Sequence, residues 1–195
     1  MTIDRAYSIM MASQRGKGRR NAMKSDYITR ARKFIRALSE FLPNDGYISN
    51  YTARHACDMF NARYHRHVVV DFGSARVAFI TSDYVVKLDY DKVAVRLYGG
   101  CKSECRFYQF ALEEGMEYLL AEITPYKCNG VTFYIMPRVS NVGNADAHYL
   151  YRLSEDEYEW LMQNINDLHE FNYGLLHGRV VVIDYAMNVL FEEGG

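Results

Sequence analysis

Asp167-Leu168-His169-Glu170-Phe171-Asn172, followed by Val180-Val181-Val182-Ile183-Asp184, is the stretch that decides how this chain is read. Three polar side chains stand here in surroundings that otherwise read as core. Asp167 and Asn172 share a loop. Leu176-His177-Gly178-Arg179 reads as a tight hairpin, and Val180 to Ile183 as a buried strand that delivers Asp184 to its end. Asp167, Asn172 and Asp184 are therefore expected to converge. Their carboxylate and amide oxygens are hard ligands, suited to Mg²⁺ carrying the phosphates of a nucleotide.

Working outward, the whole chain has the size and balance of a globular protein. It has 195 residues, 49% of them hydrophobic, and a net charge of −1. That length supports one domain with a sizeable core, divisible into two lobes. The balanced charge argues against nucleic acid as the main partner. The Cys residues at 57, 101, 105 and 128 form no dense framework, and no signal peptide opens the chain, so reduced thiols in a cytoplasmic protein are expected. No apolar run reaches the ~18 residues of a spanning helix, so no membrane partner is expected.

Residues 1–24 read as a flexible, solvated basic arm. Its cluster Arg15-Gly16-Lys17-Gly18-Arg19-Arg20 suits at most a weak, salt-sensitive contact with an acidic partner or nucleic acid. Residues 25–67 read as a helical extension. Ser25 is placed to cap a helix whose stripe is Ile28, Ala31, Phe34, Ile35, Leu38, Phe41 and Leu42. Pro43 ends it, and Asn44-Asp45-Gly46 turns. A second helix is expected from about 49 to 64 with Ala53, Ala56, Met59 and Phe60 on one side. His55, His65 and His67 straddle its end without an acid or Cys at ligand spacing, so they are not read as a metal site.

From Val68 the pattern becomes β. Val68–Phe72, Ala75–Ile80 and Tyr84–Leu88 form a meander, with Gly73-Ser74 turning between the first two. Gly73 leaves room for a phosphate to approach backbone. Lys87 shares a strand face with Val85. A helix opened by Ser103-Glu104 and closed by Gly115 puts Glu104 in its first turn, aimed at Lys87. Tyr118–Pro125 and Val131–Met136, joined at Asn129-Gly130, complete five strands and one helix. Beyond Met136, the break around Arg138 offers backbone groups to an adenine edge. Ser154-Glu155-Asp156-Glu157 is a capping box for a helix running to about Asn166.

Taken in order, these residues resemble the protein-kinase-like superfamily, and most of all the compact serine/threonine kinases encoded by bacteriophages. Gly73 is similar to a remnant of the glycine-rich loop. Lys87 matches the third-strand lysine and Glu104 its helix partner. Asp167 to Asn172 matches a D-L-H-x-x-N catalytic loop, and Asp184-Tyr185-Ala186 stands at the D-F-G position.

The resemblance implies an α+β fold with a five-stranded antiparallel N-lobe over 68–139 and a minimal, truncated C-lobe over 140–195. It implies ATP and Mg²⁺ as cofactors. Asp167 would accept the proton of an attacking hydroxyl, and Asn172 and Asp184 would hold the metal. Lys87, set by Glu104, would neutralise the phosphates. Gly73, Ser74, Met136 and Arg138 would complete the nucleotide site. A host protein would be the substrate, met in the host cytoplasm. The departures are a single glycine in the loop, Ala186 in place of the last glycine of D-F-G, and His169 where most eukaryotic protein kinases carry lysine; His169 is expected to pack the loop. The short stretch after Asp184 leaves no room for an activation segment. That truncation motivates an alternative: a kinase-shaped pseudokinase that binds nucleotide and inhibits or redirects a host macromolecule.

Overall fold

The structure, a computed structural model, describes residues 26–43, 48–90, 92–141 and 153–192. The basic arm, the Ser25 cap, the Asn44-Asp45-Gly46 turn and residues 142–152 lie outside the described residues.

Two helices open the described chain. Helix α1 covers 26–38, and Ile28, Ala31, Phe34, Ile35, Leu38 and Leu42 are buried at its three- and four-residue steps. Helix α2 (Asn50–Tyr64) starts at Ser49, whose side chain accepts the Thr52 N–H at 3.1 Å. It buries Ala53, Ala56, Cys57 and Phe60. Met59, expected on that stripe, is 45% exposed, because helical geometry places it roughly a third of a turn away.

The strands β1 (Val69–Phe72), β2 (Arg76–Ile80), β3 (Tyr84–Asp89), β4 (Thr124–Cys128) and β5 (Val131–Pro137) form one antiparallel sheet in the order β1-β2-β3-β5-β4. Side-chain alternation gives the sheet two faces. Val77, Phe79, Tyr84, Val86 and Leu88 turn to α1 and α2, where Phe34 meets Phe60 with ring centroids 4.8 Å apart. Arg76, Ala78 and Ile80 of β2, with Val85 and Lys87 of β3, alternate with these and line the other face.

The expected strand over 118–125 is corrected. Glu117–Leu119 is a 3-10 turn, Leu120 bridges to Val182, and β4 begins only at Thr124. The reason is register. Asn129 (φ 48°) and Gly130 (φ 81°) make a two-residue turn, so Cys128 must face Val131 and Thr124 must face Ile135.

The expectation of one helix between β3 and β4 is also corrected. A seven-residue helix α3 (Lys92–Tyr98) precedes α4 (Cys101–Glu114). Its sequence, Lys-Val-Ala-Val-Arg-Leu-Tyr, is too short to separate helical from strand periodicity.

The remaining elements form a smaller layer. Strands β6 (Ser140–Asn141), β7 (Tyr173–Leu176) and β8 (Arg179–Val182) make a three-stranded antiparallel sheet; β6 follows directly on the break expected around Arg138. Helix α5 (Glu155–Asn164) carries the complete Ser154/Glu157 capping box. Phe107 of α4, Trp160 of α5 and Tyr185 pack as one aromatic cluster. Helix α6 (Val189–Glu192) closes the described chain. The protein is thus α+β. Among the described residues, no helix is long and apolar enough to cross a membrane.

Candidate functional site

The N-terminus of α4 positions much of the site. Gly100 at its N-cap has no side chain, and Asp89 at the end of β3 substitutes, accepting the Cys101 N–H at 3.0 Å. A Cβ on Gly100 would stand 2.9 Å from that carboxylate. Gly99, at φ +70°, brings the chain so close to Ala186 that a Cβ would lie 2.5 Å from its carbonyl oxygen. Ser103 Oγ donates to the same carbonyl at 2.9 Å, and buried Asn188 donates to Tyr185 O at 2.7 Å. Tyr185 OH donates to Ala121 O at 2.6 Å. These ties lock the segment after Asp184 against the helix that carries Glu104.

Four charged side chains meet there. Lys87 Nζ donates to Glu104 Oε1 at 2.8 Å, to Oε2 at 3.2 Å and to the Ile183 carbonyl at 2.8 Å. Arg76 Nη2 donates to both Asp184 oxygens at 2.7 Å. Arg76 Nη1 stands 3.0 Å from Glu104 Oε1, near enough for an ion pair but off the direction of a hydrogen bond. Glu104 is fully buried, whereas the Asp184 side chain is 39% exposed. Burial raises the Asp184 pKa, but Lys87 and Arg76 outweigh it and hold the carboxyl below its ordinary value. Burial likewise works against the Arg76 charge, and Glu104 and Asp184 overcome it, raising its pKa.

The cluster lies at one end of a cleft of about 970 Å³ between the five-stranded sheet and the β7–β8 hairpin. Sheet register orders its wall. Ala78 faces Lys87, Ile80 faces Val85, and Val85 faces Met136. The wall therefore runs from charged at Arg76 to apolar at Ile80 over about 13 Å at the usual rise per strand residue. Tyr173 and Ile183 line the cleft from the other side.

Of the residues expected at the site, Gly73, Lys87, Met136, Arg138, Asn172 and Asp184 line the cleft. Glu104 sits behind Lys87, and Ser74 is not part of the lining. A Cβ on Gly73 would meet only Arg76 O at 3.7 Å, so the hairpin itself does not demand glycine. Arg138 is partly committed elsewhere: its N–H donates to Asp83 O at 3.0 Å and Nη1 to Thr81 O at 2.6 Å. Pro137 has no N–H, which leaves Val139 as the backbone donor in this short stretch.

Asp167 is also absent from the lining, and its side chain is 55% exposed. Its backbone carbonyl accepts Asn172 Nδ2 at 2.7 Å, which leaves the Asn172 side-chain oxygen for other partners. His169 caps the 3-10 turn Glu170–Asn172, its Nδ1 accepting the Phe171 N–H at 3.3 Å; its side chain is half exposed, so it orders the loop without being buried in it.

Arg76 escaped the sequence reading. A signal was available: it stands two and four residues before Ala78 and Ile80, so strand alternation puts it on the sheet face that carries Lys87.

Among the described residues, no three His, Cys, Asp or Glu side chains gather into a metal cage. Mg²⁺ with a phosphate ligand needs only one or two carboxylates. Asp184 and the Asn172 oxygen are hard donors on one cleft, so the chemistry fits, with Arg76 as the cation to be displaced. Comparison with models of known protein families finds no match, and comparison with curated proteins finds no significant match.

Proposed function

We propose that this chain is a protein-kinase-like phosphotransferase of the compact bacteriophage kind, using ATP and Mg²⁺ to phosphorylate hydroxyl groups of host proteins. The observation that carries it is the buried Lys87–Glu104 pair beside Asp184, at the charged end of a cleft whose other end is apolar. Such a cleft suits a nucleotide, with phosphates against the cations and a base between Val85 and Ile183. The Val139 N–H is the donor for its edge.

In this reading, bound Mg²⁺ supplies charge neutralisation to the phosphates and is held by Asp184 and Asn172. Glu104 fixes Lys87 so that no side-chain ordering is needed when the phosphates arrive. Asp167 stands on the solvent side of the loop, where a protein hydroxyl reaches it, and accepts its proton.

A second reading is favoured by a specific contact: both Asp184 oxygens are bonded by Arg76. A carboxylate so engaged suits a pseudokinase that binds nucleotide and redirects a host macromolecule without transferring phosphate.

The test is incubation with γ-labelled ATP and Mg²⁺, with and without bacterial lysate, for wild type, Lys87→Ala and Asp184→Asn. Label transfer abolished in both variants supports the phosphotransferase. Nucleotide binding without any transfer supports the pseudokinase, and no nucleotide binding refutes both.

A further inference from the structure

Lys87 is largely committed. An ammonium has three N–H donors, and Nζ is engaged by both oxygens of Glu104 and by the Ile183 carbonyl. The two oxygens of one carboxylate lie too close together to take separate N–H groups, so they share one, and a single donor is left to meet a phosphate at one point.

Arg76 is different. It lines the same cleft, at the start of β2, directly after the Gly73 hairpin. Its guanidinium carries five donors in a planar fork. Both Asp184 bonds come from one nitrogen, Nη2, and Nη1 is a buried donor with no hydrogen-bond acceptor. The Asp184 carboxylate it holds is 39% exposed, so water can solvate that carboxylate once it is released. A planar guanidinium also matches phosphate oxygens in pairs, which an ammonium cannot do.

We propose that Arg76 is the chief phosphate-binding residue of this cleft, exchanging Asp184 for the terminal phosphate of a nucleoside diphosphate or triphosphate, so that the cleft holds such a ligand without a divalent metal. This rests on the nucleotide-cleft reading and deepens it. Asp184 and the phosphate compete for one guanidinium. Removing the Asp184 charge therefore strengthens metal-free binding while it weakens the metal-dependent kind.

The experiment is calorimetric titration of the full chain with ADP and with adenosine, in EDTA and in MgCl₂. Wild type, Arg76→Met and Asp184→Asn are compared, with folding checked by circular dichroism. In EDTA, wild type prefers ADP to adenosine by about tenfold or more, a difference of about 1.4 kcal/mol. Arg76→Met loses that preference and keeps adenosine affinity. Asp184→Asn binds ADP more tightly than wild type in EDTA and gains nothing from Mg²⁺. The Asp184→Asn comparison stands even if Arg76→Met does not fold. A wild type that prefers ADP only with Mg²⁺, an Asp184→Asn variant weakened in EDTA, or an Arg76→Met variant that keeps the preference overturns the assignment while leaving the nucleotide cleft intact. Binding of neither ligand in either buffer removes the nucleotide reading itself, and this assignment with it.

Discussion

Lys87 Nζ and Glu104 Oε1 stand 2.8 Å apart, and the Glu104 side chain has no solvent exposure. A carboxylate so placed is tolerated only because cations meet it. Lys87 binds both its oxygens, Arg76 Nη1 lies 3.0 Å away, and the Tyr185 N–H donates at 3.4 Å. Glu104→Ala leaves Lys87, a largely buried cation, without its carboxylate, while Arg76 keeps Asp184. The expected loss is about 3–5 kcal/mol of unfolding free energy in urea titration, in the range for breaking a buried pair. A change below about 1 kcal/mol would mean that solvent reaches the cluster.

Asp89 supplies the cap that Gly100 lacks. Asp89→Ala is expected to cost about 0.5–2 kcal/mol, the usual worth of an N-cap, while Asp89→Asn retains most of it. Chemical denaturation of the two variants side by side checks this. Equal losses would point to charge, not the hydrogen bond, as the source.

Gly99 is needed twice over. Its φ is +70°, and a Cβ at this position would lie 2.5 Å from the Ala186 carbonyl oxygen. Gly99→Ala is expected to destabilise by more than about 1 kcal/mol, since a strained conformation and a backbone clash add. Gly73→Ala, whose Cβ meets nothing closer than 3.7 Å, serves as the control and should leave thermal unfolding nearly unchanged.

Acid stability carries the signature of Asp184. Burial raises its pKa, Lys87 and Arg76 outweigh that and lower it, and the folded-state value ends below the ordinary 3.8. The folded state then binds fewer protons than the unfolded one as the pH nears that range. The contribution is present in full above the unfolded pKa and is lost as the pH falls through the lower, folded one. Asp184→Asn should therefore show a shallower decline in stability below about pH 4. Parallel acid limbs for wild type and variant would show that the pairing with Arg76 and Lys87 does not stabilise the ionised carboxylate.

Helices α1 and α2 form part of the sheet's core. Phe34 of α1 lies within ring contact of Phe60, Phe79 and Tyr84. Phe34→Ala is expected to cost about 3–5 kcal/mol through the cavity it leaves. A single cooperative transition at lower temperature is the expected calorimetric trace. Two transitions would mark the helices as a separately folding extension.

Local pattern alone determined most of the elements. Alternation placed β1 to β3 and β5, the 3.6-residue stripe placed α1, and the Ser154 box and the Asn129-Gly130 turn set their own boundaries, because each rests on neighbours a few residues apart. Lys87, Asn172 and Asp184, which line one cleft, were legible as candidates for the same reason: polar groups interrupt apolar runs at fixed points. Tertiary structure decided the rest. Helix α3 was too short for its period to speak, and β4 took its register from the turn after it. The partnership of Arg76 with Asp184 spans 108 residues, and no local pattern encodes it. Alternation put Arg76 on a face; only the folding of the β7–β8 hairpin under the sheet brought Asp184 to it. Asp167 shows the converse. Its position in the loop suggested convergence, but the 3-10 turn at Glu170–Asn172 directs Asn172 inward and leaves the Asp167 side chain on the solvent side of the loop, with its backbone carbonyl holding Asn172.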